Sequence, residues 1–179
     1  KAPAGYLVND TVFVQKITAG GAKETVSCYN ASSVEEQVYR GGVKVQKRDL
    51  ETKKAEPQGG ASLEGAVFTI TSLNDHPVMV EGKAYTKNQV VLSFTTDSKG
   101  TAATKKDALP FGHYRIDETK APEGYLNEGK LSTEFDIVKN GEIVDVTMEE
   151  KAILNQVIRG DLELIKVADG EQKRLSDIP

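Results

Sequence analysis

The sequence is short of the residues on which several common scaffolds and sites depend. Its 179 residues include one cysteine, two histidines and no tryptophan. The single cysteine, Cys28, cannot form an internal disulfide, so a disulfide-stapled secreted scaffold is excluded. Zinc sites of the ribbon type need a full set of cysteine and histidine ligands, which this composition does not supply. We therefore expect no metal ion.

Long hydrophobic runs and a strong charge of either sign are also missing. No apolar run approaches the length of a membrane span. The 23 basic and 27 acidic residues are scattered and give a net charge of −4. The sequence therefore has no basic cluster of the kind that binds nucleic acid or an anionic membrane. We find no glycine-rich phosphate loop and no Ser/His/Asp set. We therefore expect no nucleic acid, membrane or cofactor as a partner, and no catalysis on an external substrate.

Two motifs occur twice at one spacing. Lys-Ala-Pro-x-Gly-Tyr-Leu begins at Lys1 and again at Lys120, and Gln-Val-x-Arg-Gly begins at Gln37 and again at Gln156. The offset is 119 residues in both cases, 120 against 1 and 156 against 37. We therefore expect a piece of a tandem array from a longer protein. Its parts are the C-terminal part of a preceding repeat at 1–40, a complete repeat at 41–159 and the first strand of a following repeat at 160–179.

Within the complete repeat, apolar and polar residues alternate in short runs. Alternation over 43–48, 66–71 and 114–118 predicts β-strands rather than helices. Turn-forming residues separate the runs, and Asn140-Gly141 between two strand-like runs predicts a β-hairpin. About seven short strands, with no helix-length periodic segment, predict an all-β antiparallel sandwich of immunoglobulin-like size.

Three polar residues fall on strand faces that should point into the core. A side-chain period of two places Lys47 on the face of the two preceding valines. By the same count Glu118 shares a face with Ile116, and Asn155 shares one with Val157. Because an unpaired buried charge is costly, we expect the three polar side chains to meet.

One reaction uses a lysine, a glutamate and an asparagine together. In a low-dielectric site the pKa of a lysine falls and that of a glutamic acid rises, so both groups can be neutral. The free amine of Lys47 could then attack the side-chain amide of Asn155, with Glu118 as acid and base. Ammonia would leave and an isopeptide bond would remain. The alternative is a snorkelling lysine and a turn-forming asparagine.

The motifs of the complete repeat resemble a known family. Glu-Thr-x-Ala-Pro-x-Gly-Tyr begins at Glu118, Leu-Pro-x-Gly-x-Tyr spans 109–114, and Val-x-Val-x-Lys-x-Asp spans 43–49. Together they resemble the Cna protein B-type repeat, also called SpaA-like or prealbumin-like, of Gram-positive surface adhesins and pilins. The resemblance implies a reverse immunoglobulin-like sandwich with a self-formed Lys–Asn or Lys–Asp crosslink between its first and last strands. By position, the crosslinked residues are Lys47 and Asn155, and Glu118 assists.

The resemblance also implies a structural function. We expect a stalk module of an extracellular, cell-wall-anchored adhesin, with neighbouring repeats of the same chain as partners and a single self-modification instead of enzymatic turnover. One alternative is a module that binds a host or matrix glycoprotein through loops such as 74–77 or 83–87. Another is a pilin subunit without a formed crosslink.

The position of the acceptor departs from the usual family pattern. The asparagine often follows soon after a Val-x-Val run, which here spans 144–146, whereas Asn155 comes later. We therefore expect an insertion or a bulge to bring Asn155 into register with the first strand.

Overall fold

The computed structural model describes residues 1–12, 35–127, 132–147 and 154–164, and within these ranges the secondary structure is β with no helix. Cys28 lies outside the described residues. The strands are β1 (Arg40–Gln46), β2 (Arg48–Asp49), β3 (Val67–Ser72), β4 (Val78–Val80), β5 (Lys83–Tyr85), β6 (Val90–Thr95), β7 (Thr101–Ala103), β8 (Leu109–Pro110), β9 (Gly112–Lys120), β10 (Ser132–Ile137), β11 (Ile143–Asp145) and β12 (Leu154–Asn155).

Two four-stranded sheets form the layers of the molecule. One sheet has the order β10-β9-β3-β6 and is antiparallel throughout. In the other, β1 pairs antiparallel with β7 and β8 but parallel with β11. A short parallel pair joins β2 to β12, and β4 and β5 form an antiparallel pair. The predicted all-β sandwich is confirmed. The parallel pairs β1–β11 and β2–β12 were not part of that prediction.

The hydrophobic core lies between the two sheets. Its fully buried side chains come from alternate positions of β1, β3 and β9, as the period of two predicts. They include Val43, Val45, Phe68, Ile70, Tyr114 and Ile116. Burying a valine, isoleucine or phenylalanine side chain contributes about 1.5–3 kcal/mol, so these positions account for much of the packing energy.

The β-hairpin predicted at Asn140-Gly141 is wrong. The turn is present, and Gly141 has a φ of 73°. However, β10 pairs with β9 whereas β11 pairs with β1, so the turn carries the chain from one sheet to the other. The Gly141 N–H donates to the Arg40 carbonyl at 2.7 Å, and the Arg40 N–H donates to Asn140 Oδ1 at 3.1 Å. Because of these bonds to the start of β1, β11 begins beside β1 and not beside β10.

Both copies of the repeated motifs have the same local backbone structure. Antiparallel bridges join Tyr6 to Val38 and Tyr125 to Val157, and the two pairs are 119 residues apart. In each pair, the N–H after the tyrosine donates at 2.8 Å to the carbonyl before the valine. The two copies of the motif therefore form the same local contact, while the tandem array and its boundaries at 40/41 and 159/160 stay predictions.

Gly112 begins β9 in a conformation that leaves no room for a side chain. Its φ is 152°, and a Cβ atom would lie 2.1 Å from Asn74 Oδ1. The Asn74 amide accepts the N–H of His113 at 2.9 Å and donates to the His113 carbonyl at 3.0 Å, so it cannot move away without losing both bonds.

Gly112→Ala is therefore expected to lower the free energy of unfolding by about 1–3 kcal/mol, as overpacking does elsewhere. Urea denaturation measures the change. Gly60→Ala is the matched control, because a Cβ there meets no atom within 4 Å. Equal unfolding midpoints for the two variants would contradict the steric argument.

Candidate functional site

Lys47 lies between β1 and β2 with its side chain inside the molecule. It follows Val43 and Val45 on the same face, and its side chain is 0% exposed. The Lys47 N–H donates to the Gly100 carbonyl at 2.8 Å, which holds the backbone at the end of β1. The side chain therefore points inward, as its parity predicts.

Glu118 reaches the same interior from the opposite sheet. It lies on β9, two residues after Ile116, and its side chain is also 0% exposed. Across the sheet, its backbone pairs with that of Phe68 on β3. The Phe68 ring centroid is 6.0 Å from Lys47 Nζ, so an aromatic side chain forms part of the wall around the amine.

Asn155 is positioned by the parallel pairing of β12 with β2. It is 2% exposed, its backbone pairs with that of Asp49, and its carbonyl accepts the Leu50 N–H at 2.9 Å. Gly42 on β1 pairs with Ile143, which lies 101 residues later in the chain. Arg48 on β2 pairs with Leu154, which lies 106 residues later. The last strand therefore has five extra residues between the two pairings, and this insertion gives Asn155 its register.

The three predicted residues meet at one carboxyl group. Lys47 Nζ is 3.1 Å from Glu118 Oε1 and 3.2 Å from Glu118 Oε2. Asn155 Nδ2 donates to Glu118 Oε2 at 3.1 Å and to the Leu126 carbonyl at 3.0 Å. Because the Leu126 carbonyl can only accept, it orients the Asn155 amide with the nitrogen toward Glu118. Glu118 Oε2 thus contacts both the amine nitrogen and the amide nitrogen.

Two buried oxygens at this site have unused capacity to accept hydrogen bonds. Within the described ranges, neither Glu118 Oε1 nor Asn155 Oδ1 accepts a bond of good geometry, although Lys47 Nζ is close to the former. Buried polar atoms are nearly always bonded, and exceptions often occur at reactive sites. The exceptions here belong to the residues that the sequence singled out.

Burial shifts both ionisable groups toward their neutral forms. It lowers the pKa of Lys47 to about 8, although the charge and hydrogen bond of Glu118 act in the opposite direction. Burial also raises the pKa of Glu118, opposed by its contacts with Lys47 and Asn155. A neutral amine beside a neutral carboxylic acid is consequently within reach near neutral pH.

Two residues beside this site, Asp49 and Tyr125, have no role in the reaction predicted from the sequence. Asp49 is 0% exposed and accepts a hydrogen bond from the Tyr125 hydroxyl at 3.0 Å. The parity that placed Lys47 inside also applies to Asp49, two residues later, and would have found it.

The two loops suggested as a binding surface are neighbours. Asp75, in the 74–77 loop, forms an ion pair with Lys87, in the 83–87 segment, with 2.6 Å between Asp75 Oδ1 and Lys87 Nζ. Both side chains are more than half exposed. Exposed ion pairs contribute little to stability, and this one indicates no particular ligand.

A family comparison supports the resemblance noted in the sequence. Residues 48–152, more than half of the chain, match the sequence model of the SpaA prealbumin-like fold domain. The chain belongs to this family. The matched segment of the SpaA-like domain contains Glu118, begins one residue after Lys47 and ends before Asn155. No curated protein matches the sequence.

Several solved structures are similar to this chain. The Bacillus anthracis TIE protein is 25% identical over 88% of the chain, with a TM-score of 0.57, and 24% of its own chain is covered. The pilus 2b backbone protein of group B streptococcus is 20% identical over 69% of the chain and 43% of its own, with a TM-score of 0.45. BcpA, the major pilin subunit of Bacillus cereus, is 22% identical over 69% of the chain and 33% of its own, with a TM-score of 0.44. The SpaA-like chain thus spans less than half the length of each.

The described ranges contain neither a candidate metal site nor a candidate membrane-spanning helix. No group of three or more histidine, cysteine, aspartate or glutamate residues there could hold a metal ion. No helix there is long and apolar enough to cross a membrane.

Proposed function

We propose that this chain is a structural module of a Gram-positive cell-surface adhesin or pilin, stabilised by an isopeptide bond that it forms itself. The observation that carries the proposal is the position of Glu118 Oε2, 3.2 Å from Lys47 Nζ and 3.1 Å from Asn155 Nδ2. One carboxyl oxygen beside both nitrogens can pass a proton from the attacking group to the leaving group. Membership of the SpaA-like family supports the structural role.

The reaction balances with the atoms of the three side chains. The neutral Lys47 amine attacks Asn155 Cγ, and the new Nζ–Cγ bond gives a tetrahedral intermediate. Glu118 takes one proton from Nζ and delivers one to Nδ2. The Cγ–Nδ2 bond then breaks, ammonia leaves, and Glu118 returns to its starting state. The product is a Lys47–Asn155 amide, formed once per molecule, so the module is not an enzyme with turnover.

The crosslink would join the first strand to the last. Lys47 follows β1, and Asn155 ends β12. The chain between them spans 108 positions, 155 less 47, and would lie inside a closed loop. Tension that enters at the start of β1 would pass through the covalent bond to the residues after β12, bypassing the rest of the fold. This arrangement suits an extracellular stalk whose partners are neighbouring repeats of the same chain.

Intact mass spectrometry tests the proposal. The protein is expected to be lighter than its sequence mass by one ammonia. Lys47→Ala, Glu118→Ala and Asn155→Ala should each have the full mass of their own sequence. Lys44→Ala is the control, since Lys44 lies on β1 with its side chain partly exposed, and it should still lose ammonia. An unmodified mass for the protein itself would overturn the proposed function.

A further inference from the structure

Asp49 is a buried ionisable residue that the proposed reaction does not use. Its Oδ1 accepts the N–H groups of Glu51 and Thr52, each at 2.8 Å. Gln58 Nε2 donates to both carboxyl oxygens at 3.0 Å, and the Tyr125 hydroxyl donates to Oδ2 at 3.0 Å. Burial alone raises the pKa of Asp49, but these hydrogen bonds outweigh it and lower the pKa below the usual value. A fully buried carboxylate therefore stays charged among neutral donors.

The segment that follows Asp49 holds the backbone of Asn155. Asp49 and Asn155 are paired residues of the parallel β2–β12 ladder. The Leu50 N–H donates to the Asn155 carbonyl at 2.9 Å. The loop that begins at Asp49 thus sets the position of Asn155 along the first strand.

The segment that contains Tyr125 holds Asn155 from the other side. The Leu126 carbonyl accepts from Asn155 Nδ2 at 3.0 Å, and the Leu126 N–H donates to the Gln156 carbonyl at 2.8 Å. Tyr125 is 5% exposed, and its backbone forms a bridge with Val157. The side-chain amide and the backbone after it are both bound to this segment.

The Tyr125–Asp49 hydrogen bond closes a ring around the acceptor. The ring runs from Asp49 to Leu50, across to Asn155, from its amide to Leu126, and through Tyr125 back to Asp49. Of these contacts, the Tyr125–Asp49 bond is the one that ties the two flanking segments to each other through side chains. Without it, the ring would be open, and the two segments would hold the amide less firmly in its orientation toward Glu118.

We infer that Asp49 and Tyr125 are positioning residues for the crosslink, which hold Asn155 where Lys47 can attack it. This inference rests on the proposed function, because it assigns a role in the same reaction. Neither residue contacts the reacting atoms. Displacement of a reacting group by about 1 Å can cost a hundredfold in rate, so a single hydrogen bond between the two supports can matter.

The rate of bond formation tests the inference. The chain is made by cell-free translation, synthesis is blocked, and the loss of ammonia is followed by intact mass over time. Tyr125→Phe, which removes only the hydroxyl, is expected to slow the loss about tenfold or more. Asp49→Asn, a second change of nearly the same shape, should slow it as well.

Tyr114→Phe is the matched control. Tyr114 is also buried, and its hydroxyl also donates one hydrogen bond, at 2.8 Å to the Pro110 carbonyl, but this bond lies outside the ring around Asn155. In a Lys47→Ala background, which cannot form the crosslink, Tyr125→Phe and Tyr114→Phe should lose similar stability. With Lys47 present, only Tyr125→Phe should slow the reaction.

The pH dependence separates positioning from electrostatic action. A positioning role lowers the rate at every pH and leaves the midpoints of the pH profile unchanged. Equal rates of ammonia loss for Tyr125→Phe and Tyr114→Phe would overturn the positioning role but not the proposed function. A slower Tyr125→Phe whose pH profile had shifted midpoints would do the same. No loss of ammonia from the unaltered protein would overturn the proposed function, and the positioning role with it.

Discussion

Asn155→Ala is expected to lower the free energy of unfolding by about 4–5 kcal/mol, the chain-entropy value for a loop of about a hundred residues. The proposed bond from Lys47 to Asn155 would close a loop that spans 108 positions, 155 less 47, and would restrict the unfolded chain as a disulfide does. This variant removes the acceptor and leaves the Lys47–Glu118 pair in place. Guanidinium denaturation, followed with the intact mass of each sample, measures the difference.

Two further variants show whether the bond is the cause. Lys47→Ala should lose more than Asn155→Ala, because it also leaves the buried Glu118 carboxyl without its amine, which costs several kcal/mol in comparable cases. Lys44→Ala should change stability by about 1 kcal/mol at most, since Lys44 and its partner Asp145 are both nearly half exposed. If Asn155→Ala unfolded at the same denaturant concentration as Lys44→Ala, no crosslink would be stabilising the fold.

Glu118→Gln is expected to slow formation of the bond by about 10²–10⁴-fold, the usual contribution of a positioned acid and base. Glutamine has nearly the same shape as glutamate but cannot carry a proton from Lys47 Nζ to Asn155 Nδ2. The measurement is the rate of ammonia loss after cell-free synthesis.

Asp117→Asn is the matched control for this variant. Asp117 is the neighbour of Glu118 on β9, but its side chain is partly exposed and pairs with Arg115 at 2.9 Å. It should therefore form the bond at the rate of the unaltered protein. If Glu118→Gln formed the crosslink as fast as Asp117→Asn, Glu118 would not be the group that transfers the proton.

The same rate should pass through a maximum as pH changes. The neutral pair, with an uncharged Lys47 and a protonated Glu118, holds as many protons as the ion pair. The ratio of the neutral pair to the ion pair therefore does not change with pH. The pair gains a proton as the pH falls through the raised pKa of Glu118, and loses one as the pH rises through about 8, the pKa of Lys47. The rate should fall on both sides. A rate that kept rising above a pH of about 8 would mean that the neutral acid is not required.

The inward direction of the three site residues could be predicted because alternation along a strand is a local property. Val43 and Val45 are apolar, so the residue two positions later, Lys47, had to share their face. The same reasoning applied to Glu118 after Ile116. A buried lysine and a buried glutamate then required each other, since neither charge is stable alone in a core.

The partners of each strand could not be predicted in the same way. Asn140-Gly141 has the composition of a hairpin turn, yet its bonds to Arg40 direct β11 to the other sheet. Parity could have placed Asp49 in the interior, but it could not identify the Tyr125 hydroxyl as a donor to Asp49, because Tyr125 lies 76 residues later in the chain.

The sequence by itself therefore determined the β class, the buried faces of the strands that it predicted, the 119-residue repetition and the identity of the three polar residues directed inward. Only the tertiary structure decided how the three residues are brought into contact. Contact between Lys47, Glu118 and Asn155 depends on the parallel pairing of β2 with β12 and on the five extra residues before it. Parity is set by the backbone geometry of one strand, whereas register between strands far apart in the chain is set by the hydrogen bonds and packing of the whole fold.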